Sequence, residues 1–193
     1  MRIISTKMSD TAQTPRRAAV AGGGASLGPV IQAALESGGF EVIDFVDDTP
    51  GLNVLVLIAR NIAFRFTKTE ASTVAEELGG ELRTAFLMLR RGVAAIRGQG
   101  AGGAVVFVAP PSDGHRSFDA LRQGLRLLTK SAALELGPEG IRVNIVLPGS
   151  GETPLGRACT DADIAAGVAF AASDRAHFMT GADLVIDGGT MVQ

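Results

Sequence analysis

The sequence predicts an α/β protein built on a doubly wound, mostly parallel sheet. Short, apolar, β-branched segments such as residues 52–59, 104–109 and 141–147 alternate with longer segments of helical period. A glycine-rich turn over residues 22–28 joins the first apolar segment to a helix, and a second apolar segment follows. Strands that alternate with helices form parallel βαβ units, so we expect helices on both faces of one sheet.

The composition is that of one globular domain. The chain has 193 residues, of which 46% are hydrophobic and 20% are charged. Its formal net charge of −2 argues against nucleic acid as a partner. No apolar run reaches the roughly 18 residues that a membrane span needs, so no membrane partner is expected. Cys159 is the single cysteine, which favours a reducing compartment, and we expect a cytoplasmic protein.

The N-terminal segment differs from the rest of the chain. Residues 1–16 are largely polar, carry basic residues near both ends and lack the apolar stretch of a secretory signal. We interpret them as a disordered N-terminal tail. Residues 17–193 would then form a single domain.

A βαβ unit is predicted directly after this tail. The first strand covers residues 17–22, a helix follows over residues 29–37, and the second strand covers residues 40–46. The glycine-rich turn lies between the first strand and the helix. Strand, glycine turn, helix and strand in this order are typical of a dinucleotide-binding unit.

Four residues of the glycine turn are candidate cofactor-binding positions, namely Gly22, Ser26, Leu27 and Gly28. Glycine lets the backbone approach a pyrophosphate, and the helix N-terminus supplies partial positive charge. Ser26 adds a side chain where the phosphate would pass. The alternative is that the glycines only allow tight packing of the strand against the helix.

Asp47 and Asp48 follow the second predicted strand. They lie about 20 residues after the turn, where an acid can accept a hydrogen bond from a ribose hydroxyl. Asp47 in that role would favour NAD over NADP. The alternative is that both residues only form the turn that ends at Gly51.

The segment over residues 118–149 carries the most specific pattern. Its first half has apolar residues at steps of three and four, which predicts a helix. Gly137 and Pro138 end this helix, because glycine tolerates the cap geometry and proline cannot continue the hydrogen-bond ladder. The apolar strand over residues 141–147 follows, and the Pro148-Gly149 turn stops it.

This segment resembles the active-site helix and following strand of the short-chain dehydrogenase/reductase family, close to its 3-oxoacyl-carrier-protein reductase branch. The resemblance extends from Ala18 to the C-terminus and includes the turn over residues 22–28 and the close match over residues 176–189. It implies a Rossmann-like fold. In the family, the reaction is hydride transfer between NAD(P) and a hydroxyl or carbonyl carbon.

The four catalytic positions of the family are all changed in this chain. The tyrosine that acts as general acid or base falls on Phe118, and the lysine that lowers its pKa falls on Arg122. The serine that positions the carbonyl oxygen falls on Pro110, and the asparagine of the proton relay falls on Glu81. The whole chain contains no tyrosine. We therefore expect a degenerate active site.

Two segments of the family are missing, which predicts a truncated fold. Only residues 47–51 separate the second strand from the strand over residues 52–59, where the family has a helix, a third strand and another helix. A parallel crossover takes a dozen or more residues. Either the second strand is short and the link crosses the sheet in extended form, or the pairing is irregular. The helical substrate lid is also missing, because Thr153 joins Pro154 directly.

Two further positions bear on the cofactor. Thr153 matches the family threonine that contacts the nicotinamide amide. Arg60 replaces a family glycine and would add bulk and charge near the cofactor. His177 matches a structural turn residue and has no paired ligands, so no metal site is predicted.

The helices that form subunit interfaces in the family are retained. They are predicted over residues 69–97, with a soft interruption at Gly79-Gly80, and over residues 118–136. We therefore expect a partner subunit of the same family or a homo-oligomer that forms through these helices.

Three functions are compatible with this pattern. The leading hypothesis is a non-catalytic subunit, or pseudo-oxidoreductase, with no or weak binding of NAD(H). The alternative is an active NAD(P)-dependent oxidoreductase with a substitute acid, for which His115 is the best candidate beside Asp119 and Glu152, since histidine titrates near neutrality. The third is a module that senses a dinucleotide, with NAD preferred over NADP.

Overall fold

The computed structural model describes residues 15–45, 49, 51–62, 68–111 and 116–190, with the backbone alone at 116–119. Six parallel strands form one sheet in the order β2-β1-β3-β4-β5-β6. The strands are β1 (Arg16–Gly22), β2 (Phe40–Ile43), β3 (Leu52–Ile58), β4 (Gly103–Val108), β5 (Ile141–Pro148) and β6 (Asp183–Ile186). The helices are α1 (Gly24–Ser37), α2 (Ala71–Arg97), α3 (Arg116–Leu136) and α4 (Asp161–Ala172). The predicted doubly wound parallel sheet is confirmed.

Helices cover both faces of the sheet. Helices α1 and α4 pack on one face, and α2 and α3 pack on the other. Successive side chains of a strand point to opposite faces, so Val54 and Val56 face α1 and α4 while Leu55 and Leu57 face α2 and α3. This double burial explains why the central strands are continuously apolar in the sequence.

The link between β2 and β3 replaces a helix–strand–helix unit with a few residues. Strand β2 ends at Ile43, earlier than predicted, and the described link residues 44, 45, 49 and 51 form no helix. Phe45 packs against the α2 and α3 face of the core, and the Arg91 guanidinium carbon lies 5.4 Å from its ring centroid. The pairing of β1 with β3 also shifts register between Arg17 and Ala18. Both proposed features, a short strand and an irregular pairing, are therefore present.

Helix α1 begins earlier than predicted. It starts at Gly24, inside the segment predicted as the glycine turn, and places Pro29 inside the helix rather than at its first position. Proline is typical of the first turn of a helix, which is why the sequence pattern placed the start there.

Helix α2 is continuous from Ala71 to Arg97, so the predicted interruption at Gly79-Gly80 is wrong. Helix α4 begins at Asp161, directly after its N-cap residue Thr160, which forms a capping box with Asp163.

Helix α3 ends at Leu136 as predicted, and a 3₁₀ turn over Gly137–Glu139 follows it. Within the part of the chain that the structure describes, no helix is long and apolar enough to cross a membrane.

A matched pair of glycines in α2 tests this packing. A Cβ atom on Gly92 would overlap the Leu55 side chain, whereas a Cβ atom on Gly79 would meet nothing within 4 Å. Gly92→Ala should lower the free energy of unfolding by about 1–3 kcal/mol through overpacking. Gly79→Ala should raise it by about 0.5–1 kcal/mol, since alanine favours a helix interior.

Equilibrium denaturation in urea measures both effects. Stabilisation by Gly92→Ala would contradict the close approach of α2 to β3. Destabilisation by Gly79→Ala would contradict a continuous α2.

Candidate functional site

The candidate site lies where four parallel strands end at the same edge of the sheet. Strand order reverses between β1 and β3, and ligands of open α/β sheets bind at such a switch point. A cavity of about 340 Å³ is located there. Its lining comes from the glycine turn, from the residues after β3 and β4, from the end of β5 and from the start of α4.

The glycine turn is shaped by packing between strands. Gly22 and Gly23 have φ values of 88° and 86°, in the left-handed region that favours glycine. A Cβ atom on Gly22 would also overlap the carbonyl oxygen of Ile58 in β3. Gly28 is buried, and a Cβ atom there would lie 3.4 Å from the Gly22 carbonyl oxygen. Gly22 and Gly28 therefore serve tight packing and are not among the residues that line the cavity.

Ser26 and Leu27, which the sequence analysis gives as candidate cofactor-binding positions, line the cavity. The Ser26 hydroxyl donates a hydrogen bond of 2.8 Å to Oδ2 of Asp161, in the first turn of α4. A carboxylate therefore lies beside the first turn of α1, the place where the phosphate was predicted.

Glu81, predicted at the asparagine position of the family, holds Arg60, two residues after the end of β3. Its Oε1 accepts a hydrogen bond of 2.6 Å from Nε of Arg60, and its Oε2 accepts one of 3.2 Å from the Arg60 backbone N–H. Glu77 lies 3.7 Å from the same guanidinium. These contacts raise the pKa of Arg60, chiefly through the hydrogen bond to Glu81. Arg60 lines the cavity, and its guanidinium is paired with Glu81 of α2.

Arg122, predicted at the lysine position of the family, connects the ends of two strands. Its guanidinium donates hydrogen bonds of 2.6 Å and 2.8 Å to the carbonyl oxygens of Pro110 and Pro148. The residue is 5% exposed. Buried carbonyl groups need hydrogen-bond donors, and Arg122 supplies them after β4 and at the end of β5. Its cation is therefore part of the scaffold beneath the cavity.

The remaining two residues predicted at catalytic positions, Pro110 and Phe118, offer no proton donor. Pro110 lines the cavity and has neither a hydroxyl nor a backbone N–H. Phe118 lies in α3, but its side chain is outside the described part of the structure. A phenyl ring carries no titratable proton wherever it points.

Thr153 lies away from the cavity. Its hydroxyl donates to the carbonyl oxygen of Arg157 at 2.6 Å and accepts from the Leu155 N–H at 3.3 Å. It lines a separate depression of about 510 Å³ beside Gly188 and Gly189. The structure therefore does not bring Thr153 together with Ser26 and Leu27.

Several candidates lie outside the described residues. These are Asp47, Asp48 and His115, together with the side chain of Asp119. Glu152 is exposed in the turn after β5 and is not among the residues that line the cavity. The proposed substitute acids and the predicted NAD preference therefore stay predictions.

Comparison of this sequence with known proteins identifies the family to which the chain belongs. A family model described as enoyl-(acyl carrier protein) reductase matches residues 42–154 and 150–191. L-rhamnose 1-dehydrogenase (NAD(P)(+)) of Azotobacter vinelandii is 31% identical over 197 aligned residues, which cover 88% of this chain and 77% of that protein. The chain belongs to the short-chain dehydrogenase/reductase family. This is a family of oxidoreductases, as the resemblance implied.

Other short-chain dehydrogenases match over shorter stretches. The 3-alpha-(or 20-beta)-hydroxysteroid dehydrogenase of Mycobacterium tuberculosis is 42% identical over 87 residues, or 38% of this chain and 34% of that protein. Trans-4-hydroxycyclohexanecarboxylate dehydrogenase of Sinomonas cyclohexanicum is 36% identical over 122 residues, or 54% of this chain and 46% of that protein. These matches span less than half of each relative.

Solved structures of the family share the fold. An oxidoreductase of this family from Burkholderia thailandensis superposes with a TM-score of 0.82 at 23% identity, covering 94% of both chains. ElxO with NADP bound superposes with a TM-score of 0.78 at 18% identity, covering 93% of this chain and 100% of ElxO. At these identities the likeness concerns the fold alone.

Three features of the described residues bear on how the dinucleotide of short-chain dehydrogenases would fit this cleft. The phosphate end of the cleft carries the Asp161 carboxylate, and Thr153 is engaged in a separate turn. The sheet begins at β2, so the described residues include no counterpart of the strand that helps form the adenine pocket in the family.

Asp161 is the site residue that the sequence analysis missed. Its signal was present, because Thr160 and Asp163 have the spacing of a capping box and place Asp161 in the first helical turn. Asp161 and its partner Ser26 are 135 residues apart in the chain, so the sequence pattern did not indicate that they are in contact.

The role of Arg122 can be tested by removing its donors. Arg122→Met should lower the free energy of unfolding by about 2–4 kcal/mol, because the buried Pro110 and Pro148 carbonyls lose their partner. The free energy of unfolding of Arg122→Lys should lie between those of wild type and Arg122→Met, since lysine keeps the charge but lacks the planar guanidinium. Denaturant titrations supply the values, with the exposed Arg90→Met as the control. Equal effects of the Arg122→Met and Arg90→Met changes would exclude the scaffold role.

The capping carboxylate of α4 predicts a pH dependence. Hydrogen bonds from Arg157, and then from Thr160, hold the pKa of Asp163 well below its usual range. A carboxyl group with a depressed folded-state pKa stabilises the fold above the unfolded pKa of about 4, and this contribution disappears as the pH falls through the folded value.

Asp163→Asn should therefore be less stable than wild type near neutrality, and the difference should shrink as the pH is lowered from about 5 towards about 2. Urea denaturation across this range measures it. The exposed Glu36→Gln on α1 serves as the control. A difference that stays constant with pH would contradict the role of the ionised carboxylate.

Proposed function

We propose that this protein is a non-catalytic member of the short-chain dehydrogenase/reductase family that assembles with an active family member or with itself. One observation carries the proposal: the charged residues at the lysine and asparagine positions are both committed to the scaffold. Arg122 donates to the Pro110 and Pro148 carbonyls, and Glu81 accepts from Arg60. Neither group is held towards a substrate.

The chemistry of the other positions supports the same proposal. With no tyrosine in the chain, the family's general acid has no equivalent, and its loss alone costs about 10²–10⁴ in rate. Pro110 cannot replace the serine as a hydrogen-bond donor. Four changed positions around one cleft are harder to compensate than one.

The proposal includes no or weak binding of NAD(H), although ElxO has NADP bound. The Asp161 carboxylate beside the first turn of α1 supports weak binding. If a dinucleotide binds, Asp47 favours NAD over NADP. A module that senses NAD(H) without turnover remains the third candidate, and measurable affinity without activity would single it out.

Exposed apolar side chains on α2 and α3 support assembly. Phe86 and Leu87 on α2 are 47% and 45% exposed, and Leu127 and Leu134 on α3 are 66% and 83% exposed. Leu127 and Leu134 are seven residues apart, so they lie on one face of the helix. These helices correspond to the predicted interface segments 69–97 and 118–136.

The alternative is an active dehydrogenase for a hydroxyl or carbonyl substrate. It is favoured by the names of the relatives, which are dehydrogenases of a sugar, a hydroxysteroid and a cyclic alcohol. It requires a substitute acid, for which His115 is the candidate. NAD(P)H oxidation by the pure protein that is abolished by His115→Ala would support this alternative.

The assembly can be tested by purification from the native host followed by native mass spectrometry. We expect a stoichiometric complex, either with a family member that retains the catalytic tyrosine and lysine or between copies of this chain. Leu134→Asp should reduce the complex at least about tenfold, because a carboxylate would be buried in an apolar interface.

Leu155→Asp is the matched control, since Leu155 is 74% exposed outside these helices. A monomeric wild type would contradict the proposal. Hydride transfer by the isolated protein with any carbonyl substrate would establish the alternative.

A further inference from the structure

The two acidic residues in the first turn of α4 have different surroundings. Asp163 caps its own helix. Its carboxylate accepts hydrogen bonds from the Thr160 N–H at 2.9 Å and from the Arg157 guanidinium at 2.6 Å and 2.8 Å. Asp161 instead accepts from Ser26 of α1 at 2.8 Å. Asp161 is therefore directed at the neighbouring helix and is not needed for the cap of α4.

Helix packing holds the Asp161 carboxylate in this position. The hydrophobic cluster between α1 and α4 includes Ile31 and Leu35 of α1 and Ile164 and Val168 of α4. All four residues are buried. Ile164 lies three residues after Asp161 in α4. Asp161 is therefore carried by a packed helix rather than by a loop.

The charge of Asp161 is not balanced within the cleft. Arg60 and Asp161 are the charged residues among those that line the cavity. Arg60 is already paired with Glu81 and Glu77, and no ion pair of Asp161 occurs among the described residues. The cavity therefore carries excess negative charge at the end where a phosphate would meet α1.

The N-terminus of α1 is not capped by a side chain of its own helix. Its N-cap residue, Gly23, provides no side-chain hydrogen bond, and no acidic residue of α1 lies in the first turn. Backbone N–H groups at a helix N-terminus favour a negative charge. Asp161 supplies this charge from within the protein.

We propose that Asp161 is an internal substitute for a phosphate group, and that it excludes diphosphate ligands from this cleft. The inference rests on the proposed loss of cofactor binding and names the residue responsible for it. A fixed negative charge close to a phosphate group opposes its binding through Coulomb repulsion. With screening by salt included, we expect an effect of at least about tenfold in affinity.

The test compares the binding of ADP to isolated wild-type protein and to Asp161→Asn by isothermal titration calorimetry. Asparagine is nearly isosteric with aspartate and can still accept from Ser26, so only the charge is lost. We expect the affinity for ADP to increase at least about tenfold. The affinity for adenosine, which has no phosphate, should stay the same.

Asp174→Asn is the matched control. It changes the net charge by the same amount, and Asp174 is paired with Arg16 at the opposite edge of the sheet. Ser26→Gly is the second variant, because it removes the hydroxyl that positions the carboxylate, and it should give a smaller gain. It keeps the proposal testable if thermal denaturation shows that Asp161→Asn does not fold.

The outcomes separate this inference from the proposed function. Affinities for ADP that agree within about threefold between wild type and Asp161→Asn, including no binding by either, would overturn the inference. An equal gain in Asp174→Asn would also overturn it. Both results leave the subunit proposal intact, because that proposal is judged by assembly and by turnover.

Discussion

The carboxyl ends of β1, β3, β4 and β5 meet at one edge of the sheet, and this constraint organises the rest of the molecule. Parallel strands place every following loop on the same side, so residues far apart in the chain converge there. The ends of these strands are held together by specific contacts. Gly22 lets β1 pass close to Ile58 of β3, and Arg122 bridges the carbonyl groups of Pro110 and Pro148.

Two charged side chains at this end of the sheet are used by the scaffold. Arg122 and Glu81, which the sequence pattern predicts at the lysine and asparagine positions of the family, are both hydrogen-bonded to the backbone at strand ends. Arg60 and Glu81 form an ion pair that joins the segment after β3 to α2. A buried carbonyl without a donor or a carboxylate without a partner would be costly, which explains why these contacts form.

The shortened fold is stabilised by local substitutes for the missing elements. Where the family has two helices and a strand, Phe45 packs against the core and Arg91 lies over its ring. Strand β6 forms the opposite edge of the sheet, and its Asp183 accepts hydrogen bonds from Arg126 of α3 at 2.6 Å and 3.0 Å. The core of the domain is therefore preserved in the shortened fold.

The sequence alone determined the fold class. Apolar periodicity depends on burial by neighbouring layers, so alternating strands and helices were recognisable. Motif spacing also predicted the family's catalytic positions at Glu81, Pro110, Phe118 and Arg122. Helix limits were less certain, since a capping box and an uninterrupted α2 depend on local hydrogen bonds that the apolar pattern does not encode.

Only the tertiary structure decided what these residues contact. The pairs Arg122 with Pro148, Arg60 with Glu81, and Ser26 with Asp161 join elements that are distant in the chain. The direction of a guanidinium or carboxylate is set by whichever partner the packed helices place within hydrogen-bond distance. That is why the sequence could predict which residues lie at the catalytic positions of the family, whereas the structure was needed to show what the charged groups of Arg122 and Glu81 contact.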